Sequence, residues 1–158
     1  MKLLMHVCCA PCSVYCIETL DKKGIKPDLY WYNPNIHPYN EYVSRRDCMI
    51  EYAKNINLNL EVNDDYGLEE FCRNVAGDPA SRCVKYCYPV RMRKVFEYAK
   101  EHGYTHVTTS LLYSIYQKHD FLKKLMFELA EEFGIEFYYE DFRVGFWEGH
   151  EKAKEAGM

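Results

Sequence analysis

The sequence predicts an α/β fold: a five-stranded parallel sheet with helices on both faces. Two features of the chain point there. Short apolar, β-rich runs alternate with longer stretches of helical period, and Gly, Pro and Asn turn signals stand between them. With 158 residues there is enough chain for one domain, 1–158, with an ordinary core.

Residues 2–7, "KLLMHV", read as the first strand. The first helix begins at Pro11 or Cys12 and stops near Lys22, before Gly24. Residues 28–32 give the second strand, and after the "NPNIHP" turn a helix covers 39–55. The third strand is 59–62, a short helix follows at 68–75, and "AGDPASRCVKYCYP" reads as loop. Pro89 suits the first turn of a helix, where its missing N–H costs nothing, so the next helix runs from Pro89 to about His102 and Gly103 ends it. The fourth strand is 106–109, a long helix spans 118–132 before Gly134, and the fifth strand is 136–139. Beyond Glu140 the pattern gives one short helix and a tail, with no repeat, low-complexity tract or linker.

Composition narrows the class. A hydrophobic fraction of 48% with 28% charged residues describes a globular chain. No apolar run approaches the roughly 20 residues of a membrane span, and "MKLLMHVCC" is too short for a signal peptide, so the expectation is a cytoplasmic protein with no membrane partner. A net charge of −4 argues against loose, sequence-independent binding to nucleic acid, while leaving room for a basic patch on one face. Eight cysteines without a secretory signal point to metal or catalytic thiols. Most of the 15 tyrosines are expected in the core or at its rim.

In an open α/β sheet, ligands gather beyond the carboxyl ends of the strands. By this assignment Cys8, Cys9 and Cys12 follow strand one and Asn33 to His37 follow strand two. Asp64 and Asp65 follow strand three, Ser110 strand four and Asp141 strand five, so all line one rim. Cys16, Cys48 and Cys72 stand in helical stretches and read as small buried apolar side chains. Cys8, Cys9 and Cys12 share one turn, and Cys83 and Cys87 share a loop leading into the Pro89 helix. Thiolates gain from the unpaired N–H groups of a helix start, and metals bind thiolates.

Three chemistries fit these thiols. Cys9-Ala10-Pro11-Cys12 between strand and helix copies a redox dithiol, in which Cys9 attacks a disulfide and Cys12 resolves it; this leaves Cys8, Cys83 and Cys87 without a role. Two Cys pairs could close a four-cysteine zinc site, although such ions mostly staple small, loop-rich modules. Five thiols exceed what one tetrahedral ion uses and suit an iron-sulfur cluster with a neighbouring iron.

The segments "LLMHVCCAPCS", "WYNPNIHPYNEYVSRR", "RCVKYCYPVRMRKVFEYAKEHGYTHVTTSLLYSIYQKH" and "EDFR" span nearly the whole chain in order. In them the sequence resembles the cobalamin-independent epoxyqueuosine reductases, the QueH family. The resemblance implies a Rossmann-like (HUP-type) domain related to adenine-nucleotide α-hydrolases and ATP-pyrophosphatases. Their Ser-Gly-Gly-x-Asp-Ser phosphate loop is replaced here by "CCAPCS", which lacks the glycines that admit a phosphate, so ATP is not expected at this turn. It further implies reduction of the epoxide of epoxyqueuosine in a tRNA anticodon to give queuosine. Cys8, Cys9, Cys12, Cys83 and Cys87 would hold a [4Fe-4S] cluster and an additional mononuclear iron. A carboxylate ligand would come from Asp141 of "EDFR", with Asp65 and then Asp64 as alternatives. The family pattern continues past this region with a Tyr/Arg-rich segment bearing Cys-Gly-Cys, where this sequence has Met158; the five cysteines are taken to suffice.

Deoxygenation of an epoxide needs protons, for which His37, Tyr113, His119 and water are the candidates. The electron donor is expected to be external, since the chain has no flavin or nicotinamide fingerprint. Expected tRNA contacts are Asn33 and Asn35 of the turn, Arg45 and Arg46, Arg91, Arg93 and Lys94, and Gln117, Lys118 and His119. Tyr32, Tyr39 and Tyr116 are expected to stack on unpaired bases.

Overall fold

The structure, a computed structural model, describes residues 1–81 and 83–157, the side chains of Pro79 and Cys83 excepted. Five parallel strands run in the order β3-β2-β1-β4-β5: β1 Leu3–His6, β2 Asp28–Trp31, β3 Leu60–Val62, β4 His106–Thr109 and β5 Glu136–Phe137. The connecting helices are α1 Ala10–Lys22, α2 Tyr39–Asn55, α3 Leu68–Val75, α4 Tyr88–Glu101, α5 His119–Phe133 and α6 Phe146–Glu155. Among the described residues no helix is long and apolar enough to cross a membrane.

The central strand β1 is buried at all four positions, which is why it reads as an unbroken apolar run and not as an alternation. It pairs with β2 on one side, Met5 opposite Leu29, and with β4 on the other, His6 opposite Thr109. Strand order reverses between β1 and β4, and that reversal opens the crevice in which sheets of this kind bind ligands. Trp31 and Tyr42, both fully buried, meet edge to face with ring centroids 5.0 Å apart and tie α2 to the sheet beside the crevice. Burying a side chain of this size contributes about 1.5–3 kcal/mol.

Three expectations are corrected. The segment read as loop before Pro89 holds a 3₁₀ turn, Pro79–Ser81, and a π-helical turn, Cys83–Cys87, which runs directly into α4. The fifth strand stops at Phe137: the Tyr138 N–H still reaches the Val107 carbonyl at 2.8 Å, but the chain then leaves the ladder although β4 runs on to Thr109. Of the three cysteines expected to be buried, only Cys16 is; Cys48 is half-buried and Cys72 exposed. Helical spacing places a residue on a face without saying what covers it.

After β5 the chain makes a 3₁₀ turn, Phe142–Gly145, and α6 then packs on α1. Two glycines permit that approach. A Cβ on Gly145 would lie 2.0 Å from the Tyr15 ring, and one on Gly149 2.4 Å from the Tyr113 hydroxyl. The close packing of α6 thus braces the first turns of α1.

Candidate metal centre

The Val7 N–H still bonds the Tyr30 carbonyl at 3.0 Å, and the chain then turns from strand to helix within Cys8 and Cys9. Cys9 is extended, with φ −159° and ψ 162°, and α1 starts at the next residue with Pro11 in its first turn. The spacing of Cys8 and Cys12 across this turn folds three sulfurs into one group. The Sγ atoms of Cys8, Cys9 and Cys12 all lie within 4.8 Å of one another, each residue half-buried. They sit at the unpaired N–H groups of α1, a favourable place for negative charge.

Side chains from the neighbouring strands fix Cys8. Its N–H donates to Ser110 Oγ at 3.3 Å, and the Ser110 hydroxyl in turn points at Cys8 Sγ at 3.6 Å. The Trp31 indole N–H donates to the Cys8 carbonyl at 3.2 Å, and Asn33 Nδ2 donates to the Val7 carbonyl at 3.1 Å. Beneath them lies His6, fully buried, with Nε2 3.2 Å from the Tyr32 carbonyl and Nδ1 3.0 Å from Thr109 Oγ1. A carbonyl only accepts, so Nε2 carries the proton and the Thr109 hydroxyl donates to Nδ1. Burial, with the Arg91 guanidinium second, lowers the His6 pKa to about 4, so the ring is neutral.

The three thiols are not equivalent. Hydrogen bonds from Cys12, then from Cys9 and Ser110, hold Cys8 well below the usual thiol range against the effect of burial. Cys9 is lowered by Cys12, but donation to Cys8 and burial outweigh this and push it up. Cys12 is raised by its bonds to Cys8 and Cys9 and by burial. Negative charge therefore settles first on Cys8. A tetrahedral ion with metal–sulfur bonds of about 2.3 Å separates its sulfurs by about 3.8 Å. Cys8 and Cys9 Sγ are 3.9 Å apart and Cys12 Sγ lies within 4.8 Å of both, so the turn suits thiolate ligation of a metal.

The remaining predicted residues divide. The Cys83 side chain lies outside the described residues. Cys87 is buried with Val75 and Tyr86 in a small cluster separate from the main core, and the trio's group does not include it among the described residues. Its carbonyl accepts from buried Arg91 Nε at 2.8 Å. Asp141 caps the turn before α6 by accepting from the Arg143 N–H at 3.1 Å, and its two oxygens hold the Arg143 guanidinium at 2.8 and 2.7 Å. That pairing lowers its pKa to about 2. Asp64 accepts from the Tyr42 hydroxyl and, at both its oxygens, from Arg46 Nη1, whereas Asp65 makes no side-chain hydrogen bond or ion pair among the described residues.

On the β2 side of the rim, the Asn33 and Asn35 Oδ1 atoms and both His37 ring nitrogens are buried without a partner among the described residues. His37 packs against Tyr66 and Phe71, and burial lowers its pKa. Arg45 pairs with Glu41 at 2.6 Å; burial opposes its charge, but Glu41 and, at longer range, the Cys9 and Cys8 thiols favour it. Tyr39 is exposed and Tyr32 buried.

On the β4 side, the Tyr113 hydroxyl is fully engaged, 2.7 Å from the Phe146 carbonyl and 2.8 Å from His150 Nδ1. His119 Nε2 meets the Tyr139 hydroxyl at 2.8 Å, Gln117 Oε1 accepts from Tyr88 at 2.5 Å, and Arg93 is paired with Glu132. Tyr116, 78% exposed, and Lys118 project from the loop before α5. Reading the sequence missed His6, Trp31 and Thr109, and gave Ser110 a place but no role. A histidine ending an otherwise apolar strand was the one signal available.

Comparison with known proteins agrees with this architecture. The family model described as "Epoxyqueuosine reductase QueH" matches residues 3–158. A protein named Epoxyqueuosine reductase QueH from Dehalococcoides mccartyi is 36% identical over 90% of this chain and 78% of its own length. One of the same name from Thermotoga maritima is 27% identical over 99% and 83%. One from Haemophilus influenzae is 36% identical over 70% of this chain, a match that spans 46% of its length. Among solved structures, one titled as a predicted subunit of a tRNA methyltransferase from Methanocaldococcus jannaschii superposes with a TM-score of 0.55 at 17% identity. It covers 97% of this chain and 75% of that one, a likeness of fold alone.

Proposed function

The chain belongs to the epoxyqueuosine reductase QueH family, an oxidoreductase family of queuosine biosynthesis, and from this we propose that the turn after β1 binds iron for reduction of epoxyqueuosine in a tRNA anticodon. The observation that carries the proposal is the convergence of three cysteine sulfurs within 4.8 Å at the crevice between β1 and β4. The reaction takes up two electrons and two protons, breaks both C–O bonds of the epoxide, and yields an alkene and water. The electrons come from an external reductant.

Cys8, Cys9 and Cys12 supply one set of ligands, and Cys83 and Cys87 complete the shell of a [4Fe-4S] cluster with an adjacent iron. When bound, that group supplies electrons and Lewis acidity. For the carboxylate ligand Asp65 takes precedence, because Asp141 would first have to give up Arg143 and Asp64 would have to give up Arg46. His37, with both ring nitrogens lacking a hydrogen-bond partner among the described residues, serves as the proton donor in its imidazolium form, which the lowered pKa makes readier to give up its proton. Tyr113, whose hydroxyl is engaged with α6, holds that helix in place and is the weaker choice.

Substrate contacts follow from what is uncommitted at the rim. The buried, unpaired Asn33 and Asn35 carbonyl oxygens accept from a base edge. Arg45 neutralises a phosphate near the sulfurs, and Tyr116 with Lys118 offers a stacking ring beside a cation. The rival function, disulfide exchange through Cys9 and Cys12, needs a low-pKa thiol within that pair. That reading gives no part to Cys8, whose sulfur lies in the same group as those of Cys9 and Cys12.

Anaerobic reconstitution, followed by iron and sulfide analysis and an assay on tRNA bearing the epoxide, tests the proposal. Several irons per chain and conversion to the alkene are expected. A metal-free protein that turns over glutathione disulfide and leaves the epoxide intact would overturn it.

A further inference from the structure

We infer that Ser110 is a positioning residue that tunes the reduction potential of the metal centre through a hydrogen bond to Cys8 Sγ. The inference rests on the reading of the thiol turn as a metal centre given above. It starts from the register of the sheet. β1 and β4 are paired with His6 opposite Thr109, so the residue that follows β4, Ser110 at the start of a 3₁₀ turn, passes beside the turn that carries Cys8. The two adjacent hydroxyls divide the work. Thr109 Oγ1 serves His6 and accepts from the Leu111 N–H at 3.2 Å, which leaves it none to spare for the sulfurs. Ser110 Oγ, fully buried, serves only Cys8 among the described residues.

The geometry at Ser110 is more than a backbone cap requires. One oxygen accepts the Cys8 N–H at 3.3 Å and uses its own hydrogen toward Sγ of the same residue at 3.6 Å. A residue that only held the turn would need the first contact and not the second. The second contact falls on Cys8 Sγ, one of the three sulfurs that converge at the turn. Hydrogen bonds to ligating sulfurs stabilise the more negative, reduced state of an iron-sulfur site and so raise its potential. Cys8 also accepts at its carbonyl from Trp31, at 3.2 Å, so its backbone stays fixed when the serine hydroxyl is removed. Potential and assembly can therefore be separated.

Ser13 supplies the internal control. It too is a fully buried hydroxyl within the first turn of α1, but it donates to the Cys9 carbonyl at 2.7 Å and makes no hydrogen bond to a sulfur among the described residues.

The experiment is a potentiometric titration of the iron-loaded protein, followed by optical and electron paramagnetic resonance spectra, on wild type, Ser110→Ala, Ser110→Thr and Ser13→Ala. Iron content is measured on every sample. Ser110→Ala should keep its iron and shift the midpoint potential to a more negative value. Ser110→Thr, which restores a hydroxyl, should return it toward wild type, and Ser13→Ala should leave it in place. A fully loaded Ser110→Ala with the wild-type potential overturns the inference alone. Loss of iron from Ser110→Ala makes the residue one of assembly and overturns the tuning role. Wild type that takes up no iron overturns this inference together with the proposed function.

Discussion

The two cysteine-bearing regions of the molecule are built in different ways. The turn after β1 is held from several sides: Trp31 and Asn33 on the β2 side and Ser110 on the β4 side bind the Val7 and Cys8 backbone, and three sulfurs converge without help from elsewhere. The segment before α4 is a π-helical turn whose Cys87 packs with Val75 and Tyr86 in a satellite cluster apart from the main core. The first region is preorganised by the central strands of the sheet. The second is organised by its own local winding, and π-turns recur at functional sites because they widen the helix for a ligand. A centre drawing on both would take its rigidity from the first and its remaining ligands from the second.

The most severe way to break this comparison is to delete thiols from each side. Cys9→Ala and Cys83→Ala should each lose iron and at least about 100-fold of activity, a larger effect than loss of an outer-shell partner produces. Iron analysis alongside the tRNA assay reads this. An iron-free double variant of Cys9→Ala and Cys83→Ala that still reduces the epoxide would remove both regions from the chemistry. Full iron in Cys83→Ala alone would leave the trio as the whole centre.

A smaller effect is expected from the brace behind the trio. Gly145→Ala places a methyl 2.0 Å from the Tyr15 ring of α1, a contact that only a shift of the ring or of α6 can relieve. Overpacking of this kind costs about 1–3 kcal/mol. Urea denaturation of the metal-free protein should show a lower midpoint with an unchanged slope. An unshifted midpoint would mean that α6 does not press on α1 as described.

How far the sequence carried this contrast depends on the range of the interactions concerned. All five strands and their parallel direction follow from apolar runs that alternate with helical stretches, a signal that acts over a few residues or one βαβ unit, whereas the order β3-β2-β1-β4-β5 comes from the structure. The thiol turn was legible for the same reason, since Cys8, Cys9 and Cys12 are sequence neighbours. Its supports were not: Ser110 reaches Cys8 across 102 positions and Trp31 across 23, and nothing local to either residue announces the partner. Asp141 shows the reverse case: its position after the fifth strand was legible, whereas its pairing with Arg143, which takes both its oxygens, was not. Helical spacing likewise suggested burial for Cys72, which is exposed.

Cysteines outside both regions give the third contrast, an effect near zero. Cys48, half-buried on α2, belongs to neither thiol group among the described residues. Cys48→Ala should keep the iron stoichiometry of wild type and change stability by less than about 1 kcal/mol. A drop in iron would show that the centre reaches further along the α2 face than the two regions compared here.

The smallest effect concerns the acid that the sequence placed at the metal. Asp141 has a folded pKa of about 2, below its ordinary 3.8, chiefly through Arg143. On acidification the unfolded chain therefore takes up the proton first. The stability that the pair contributes is fully present above about pH 4 and is lost as the pH falls through about 2. Both side chains are partly exposed, 35% for Asp141 and 39% for Arg143, so solvent screening holds the contribution below about 1 kcal/mol. Asparagine caps a helical turn as well as aspartate does, so Asp141→Asn removes the charge while keeping the cap. The gap in urea midpoint between wild type and Asp141→Asn, measured on metal-free protein, should be visible at pH 6 and should close by pH 2. A gap that does not change with pH would detach the carboxylate from Arg143 and return it to the list of available metal ligands.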